Sequence, residues 1–169
     1  MEVWPQIVLG GVVAAVVAAT ITGRISRSIK ISEFRQAWIN DLRKDIADYI
    51  GAAHKWVRKY EQVNALVEPE KQEEKERMER EELLPIHNKA LVILSRIKLR
   101  FNPRKNPYKK DDDKFLVALD DLLNPRKLVS SDGSSLDTIW FGLANEAIET
   151  ARTILKREWE ITKQPSQWF

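Results

Sequence analysis

From Val3 to Gly23 the chain has no ionisable side chain, although 28 of its 169 residues are Lys or Arg and 25 are Asp or Glu. A helix from Pro5 to Gly23 is roughly 28 Å long at about 1.5 Å per residue, close to one hydrocarbon thickness. In lipid the backbone has no water to bond, so a helix is forced and the poor helix propensity of Val matters little. Pro5 suits a first helical position, and Trp4 falls where an interfacial aromatic sits. Ahead of the stretch are Met1 and the acidic Glu2; behind it come Arg24, Arg27 and Lys30. The positive-inside rule then predicts a transmembrane anchor over residues 1–24, N-terminus outside and C-terminus inside. Residues 25–169 are expected in the cytoplasm, hung from a bacterial inner membrane. A cleaved secretory signal would need a basic region where Glu2 stands; a buried core helix is the other alternative.

Within the anchor, Gly10, Ala14 and Ala18 are four apart, and so are Gly11, Ala15 and Ala19. Small residues at this spacing let helices approach closely in a membrane, which predicts self-association. Thr20 and Thr22 are polar only at the cytoplasmic end, so no polar row crosses the whole helix.

Past the anchor the pattern is helical throughout. Ile39, Leu42, Ile46, Tyr49, Ala53, Trp56, Tyr60, Val63 and Val67 alternate steps of three and four, the seam of one long helix. Because Gly23 is a weak breaker, the anchor is free to run into this helix without a break. Residues 68–82, EPEKQEEKERMEREE, hold a turn at Pro69 and almost no apolar residue. They read as a charged arm: a solvated helix, a projection, or a disordered stretch. Leu83, His87, Ala90, Leu94, Ile97 and Phe101 mark a second core helix, with Pro85 kinking it or setting its first turn. Two Asn-Pro pairs place a loop after it. DKFLVALDDLLN predicts a short third helix, and a last one runs from about Ser135 to Lys163. Its buried side is Leu136, Trp140, Leu143, Ala147, Ala151 and Ile154, and Ser134 with Asp137 resembles a capping box. The fold class is therefore all-α: a single N-terminal transmembrane helix followed by an antiparallel helical bundle in the cytoplasm.

The chemistry available is limited. There is no Cys, hence no disulfide or thiolate site, and the two His, His54 and His87, are far apart in sequence. The run DDDK (111–114) is expected to cap the third helix more than to hold Ca²⁺. No Gly-rich phosphate loop, nucleophile elbow or dinucleotide fingerprint occurs, so no cofactor and no metal is expected. A net charge of +3 is small for a general nucleic-acid binder. One basic stretch, Arg100, Arg104, Lys105, Lys109 and Lys110 with Phe101 and Tyr108 interleaved, is the candidate for RNA or lipid-headgroup contact. Its alternative is a solvated loop, since Asp111 to Asp113 follow at once. The closing aromatics Trp168 and Phe169 have three readings: packing on the bundle, docking on a neighbour, or anchoring at the membrane surface.

The remaining constellation is REELLPIH, which sets Arg80 and His87 seven apart. Imidazole suits proton transfer near neutral pH, so the pair is the candidate catalytic one; the alternative is a hydrogen-bonded histidine on the apolar seam. An N-terminal single span, an all-helical remainder and this Arg–x6–His resemble the HEPN-like small membrane accessory protein of type VI-B CRISPR systems. More broadly they resemble small membrane effectors of bacterial antiphage defence. The resemblance implies a ring-shaped homo-oligomer whose N-terminal helices form a pore and which damages the inner membrane when a partner senses infection. It does not require nuclease activity, and Pro85 inside the motif departs from catalytic geometry. The expected function is thus a non-enzymatic membrane-anchored homo-oligomer, with membrane lipid, further copies of the chain and a cytoplasmic defence protein as partners. The alternatives are a membrane-tethered, metal-independent RNase, and an adaptor that holds a cytoplasmic partner through the 68–82 arm.

Overall fold

The computed structural model describes residues 4–101, 107–129 and 135–163, with side chains from Ala18 onward. Among these residues there is no strand, and the chain is all-α. Helix α1 runs without a break over Trp4–Asn64. Between Pro5 and Pro69 there is no proline, and the four glycines, Gly10, Gly11, Gly23 and Gly51, each cost a helix only about 1 kcal/mol. The helix stops at Asn64, five residues before Pro69; Glu68 takes the extended backbone that a residue preceding proline prefers. A 3₁₀ turn (Pro69–Lys71) leads to α2 (Gln72–Met78), which passes through a π turn (Glu79–Leu83) into α3 (Leu84–Leu99). Helix α4 covers Lys109–Asp121, a 3₁₀ turn Pro125–Lys127, and α5 Leu136–Thr162.

By its contacts the chain divides into two compact units, Asn40–Arg157 and Met1–Ile39 with Glu158–Phe169. In the first, the expected seams form the core. Leu42, Ile46, Tyr49, Ala53, Trp56 and Val63 of α1 are buried with Ala90, Leu94 and Ile97 of α3 and Trp140, Ala147, Ala151 and Ile154 of α5. Val67, the last expected seam residue, lies beyond the end of α1 and is 83% exposed. Phe115, Ala118 and Leu119 are the buried side of α4. Tyr49 donates its hydroxyl proton to the Leu119 carbonyl at 2.7 Å, tying α1 to α4. Buried Asp45 of α1 accepts from Arg96 Nη1 (3.0 Å) and from Arg100 Nε (3.0 Å) and Nη2 (2.7 Å) at the end of α3. Nearer the other end of α1, Trp56 meets His87 of early α3, so the pairings run in opposite order along the two helices. Arg58 of α1 reaches Asp137 of α5 at 2.6 Å, and His54 stacks on Trp140 at 4.7 Å.

Two local expectations shift, and one with several readings narrows. Helix α4 starts at Lys109, so the aspartates fall within its opening turns rather than capping from outside. Asp112 is buried there and pairs with Arg157 of α5 at 2.9 Å. The cap of α5 moves by one residue: Thr138 N–H donates to Ser135 Oγ at 3.3 Å, and Asp137 is taken by Arg58. Ser134 lies outside the described residues. The arm of residues 68–82 is ordered as turn, helix and π turn, with no buried residue, and is held by pairs such as Gln72–Glu76 (2.8 Å) and Lys71–Glu68 (2.8 Å).

In the second unit, α1 is exposed on nearly every side from Ala18 to Lys30, then half-buried at Ile31, Ser32, Arg35 and Trp38 and buried at Ile39. Arg35 pairs with Glu158 at 3.8 Å. Among the described residues no helix is long and apolar enough to cross a membrane. Met1 to Val3, and the side chains of residues 4–17 in the expected anchor, lie outside them.

Candidate functional site

The π turn is a local consequence of Pro85. In a regular helix the proline ring would strike the carbonyl four residues back, that of Glu81, and could not donate to it. Leu84 N–H instead reaches Glu79 O, five residues back, and the widened turn makes room for the ring. Such single turns occur often at functional sites. This one forms a wall of an open groove of about 670 Å³.

The groove is lined by Trp56 and Tyr60 of α1, Glu76 of α2, Glu79, Arg80 and Leu83 of the π turn, Leu84 and His87 of α3, and Leu123 and Pro125 after α4. Both residues of the candidate catalytic pair therefore open on one space. Its floor is aromatic: Trp56 and Tyr60 stack with centroids 5.2 Å apart, and the half-buried His87 ring lies 5.7 Å from Trp56, tilted by 42°. Around the rim, Lys59 of α1 ties Glu82 at 2.6 Å, and Glu76 accepts from Gln72. Arg80, exposed between Glu79 and Glu81, makes no ion pair with any described residue. A guanidinium and an imidazole facing an aromatic floor can hold a phosphate or carboxylate beside a flat apolar group. Glu76 and Glu79 share the same lining and outnumber Arg80, and like charge repels a polyanion brought this close. Chemically the groove fits an apolar group with a single polar contact better than it fits a nucleic-acid backbone.

Of the basic stretch, Arg100, Lys109 and Lys110 are described, and they are placed differently. Arg100 is spent on Asp45, with Asp41 a further 3.8 Å contact. Phe101 packs on Phe115 at 5.7 Å, and Tyr108 lies under the Arg157 guanidinium at 4.4 Å. Lys109 and Lys110 are exposed at the start of α4, whereas Arg104 and Lys105 lie outside the described residues. Of the small residues assigned to self-association, Ala18 and Ala19 are exposed on α1; the side chains of Gly10, Gly11, Ala14 and Ala15 lie outside the described set, as do Trp168 and Phe169. No group of three or more His, Asp or Glu is placed to hold a metal ion among the described residues.

Two features escaped the reading of the sequence. Leu123 and Pro125 close the groove from beyond α4, and only the Trp56–Tyr60 spacing of four hinted at a face there. Ile21, Ile25 and Ile29 form an apolar row on α1, each more than half exposed; their spacing of four was the available signal. No protein-family model, curated protein or solved structure matches the chain.

Proposed function

We propose that the chain is a single-pass protein of the bacterial inner membrane whose cytoplasmic part is an antiparallel helical bundle. It works as a non-enzymatic homo-oligomer, an effector or accessory in antiphage defence. One observation carries this reading: the charge-free run Val3–Gly23, which from Trp4 onward is the opening of α1, is followed at once by the exposed cations Arg24, Arg27 and Lys30. A helix of that composition is most stable in hydrocarbon with its cations at the inner headgroups. Small residues four apart within it favour a neighbouring helix. The defence setting comes from the resemblance to HEPN-like membrane accessory proteins. Two measurements test the proposal. After lysis and carbonate washing the intact chain is expected in the membrane pellet, and recovery in the supernatant overturns the anchor. Mass measurement in detergent is expected to give a multimer, and a monomer overturns the assembly. Conduction is a separate question, answered by ion flux in liposomes.

A second reading rests on one feature of the groove, that Arg80 and His87 line the same space, and has against it the two glutamates beside them. As a tethered RNase, the protein would use His87 to move the proton of an RNA 2′-hydroxyl and Arg80 to hold the phosphate. Cleavage of added single-stranded RNA that disappears in His87→Ala supports this; no cleavage by the wild-type chain sinks it.

A further inference from the structure

We propose that a second groove, between α1 and α3, holds a single-chain amphiphile with an anionic head. The head sits between Lys55 and Lys89, and the aliphatic chain runs along the floor toward Arg96. The inference stands on the bundle alone and goes beyond the membrane reading, because it needs neither an anchor nor a second copy.

This groove has a volume of about 850 Å³, within the range of small-molecule sites. Its floor is aliphatic: Ala47, Gly51 and Ala52 of α1, and Ile86, Val92 and Ile93 of α3. Val92 leaves 63% of its surface open there. A Cβ added at Gly51 would meet nothing within 4 Å, so the floor is clear above that residue. From Ala47 to Lys55 the floor extends about 12 Å along the helix axis, room for a chain of medium length. Four charged residues complete the lining: Asp48, Lys55, Lys89 and Arg96.

The charges are uneven along the groove. Asp45 meets Arg96 toward one end of the antiparallel pair, and Trp56 meets His87 toward the other. Lys55 is next to Trp56 and Lys89 is two residues past His87, so the two lysines lie at nearly one level on opposite walls. Neither makes an ion pair with any described residue. No acid stands three or four residues from either lysine on its own helix. Asp48 is two turns from Lys55, about 10.5 Å along the axis. Arg96 already donates from Nη1 to Asp45 at 3.0 Å. Two ammonium groups across an apolar cleft repel, and an anion between them replaces that repulsion with charge-assisted hydrogen bonds. The described lining holds no aromatic ring, so a nucleobase finds no stacking platform, whereas an aliphatic chain meets apolar contact along the floor.

The test titrates the full chain with decanoate and with decyl phosphate by calorimetry. The protein is in buffer or in nanodiscs of neutral phosphatidylcholine, with empty nanodiscs as the blank. Binding is expected at least about tenfold tighter than for decanol, whose head is neutral, and the tighter anion tells a carboxylate head from a phosphate one. Lys55→Gln and Lys89→Gln together are expected to weaken it at least about tenfold. Gly51→Leu is expected to abolish binding while raising Tm, because leucine fills the floor and favours the helix more than glycine does. No binding by the wild-type chain, equal affinity for decanol, or unchanged affinity in either variant overturns the proposal. So does an acidic peptide of alternating Glu and Leu that binds where decanoate does not, which would make the occupant a protein segment.

Discussion

Replacing the partners of Asp45 one at a time tests how the core tolerates a buried charge. The carboxylate is 4% exposed and accepts three hydrogen bonds, one from Arg96 and two from Arg100. Breaking a buried pair costs roughly 3–5 kcal/mol when the surviving charge stays buried. The survivors differ here: the Arg96 side chain is 54% exposed and the Arg100 side chain 21%. Arg96→Ala leaves Asp45 gripped by the Arg100 fork and removes only a water-screened partner, so it costs at most about 1 kcal/mol. Arg100→Ala takes two of three bonds from a carboxylate that cannot reach water, and costs about 3 kcal/mol. Asp45→Ala falls between them, at about 2 kcal/mol, because Arg96 turns to solvent and only Arg100 is left partly stranded. Urea unfolding followed by far-ultraviolet circular dichroism, in one nonionic detergent for all three variants, measures the order. Two outcomes would refute the reasoning. One is an Arg96→Ala variant as unstable as Arg100→Ala. The other is an Asp45→Ala variant within about 0.5 kcal/mol of wild type, the range of ordinary surface changes.

Tyr49→Phe removes the bond to the Leu119 carbonyl, which keeps Leu122 N–H at 3.1 Å, so the loss is about 1 kcal/mol at neutral pH. Burial first, and then the Asp120 carboxylate, hold the Tyr49 phenol well above its ordinary pKa of 10. A folded-state value raised above the unfolded one gives stability that is complete below pH 10 and is lost as pH rises beyond it. The decline is about 1.4 kcal/mol per pH unit, and denaturation at about pH 9 and about pH 11 should show it in wild type and not in Tyr49→Phe. Ser135→Ala deletes the acceptor for Thr138 N–H and should lower stability by about 1 kcal/mol in the same unfolding assay. Deleting the 68–82 arm should leave the oligomer intact in detergent; release of a co-purifying cytoplasmic protein by that deletion would favour the adaptor reading instead.

Much of the core was legible because it obeys one period. The seams of α1, α3 and α5 step by three and four, and burial follows them from Ile39 to Val63, from Ala90 to Ile97 and from Trp140 to Ile154, except that Tyr60 and Leu143 are half-buried and Ala144 is buried in place of Leu143. What escaped is non-local or lacks apolar marks. The first turn of α4 is Lys109, Lys110, Asp111 and Asp112, with nothing apolar to extend the pattern, and the burial of Asp112 depends on Arg157 in another helix. The basic run offered two readings, a contact surface and a solvated loop; that its Arg100 belongs to a carboxylate 55 residues earlier is visible only when α1 and α3 lie together. Arg80 and His87 were noticed by spacing alone, and the groove they share needed the turn between them.

Pro85 also sets the phase of everything before it. A π turn holds one residue more than the α-helical turn it replaces, so removing that residue rotates the preceding helix by about 100° and draws it in by about 1.5 Å. Pro85→Ala, or loss of any one residue from Glu79–Leu83, would swing α2 about the axis of α3. Glu76, Glu79 and Arg80 would leave the groove while His87, on the far side of the proline, stayed against Trp56. The distance along the sequence between Arg80 and His87 thus matters less than the dislocation between them: a single imino acid decides which charges look into the cleft.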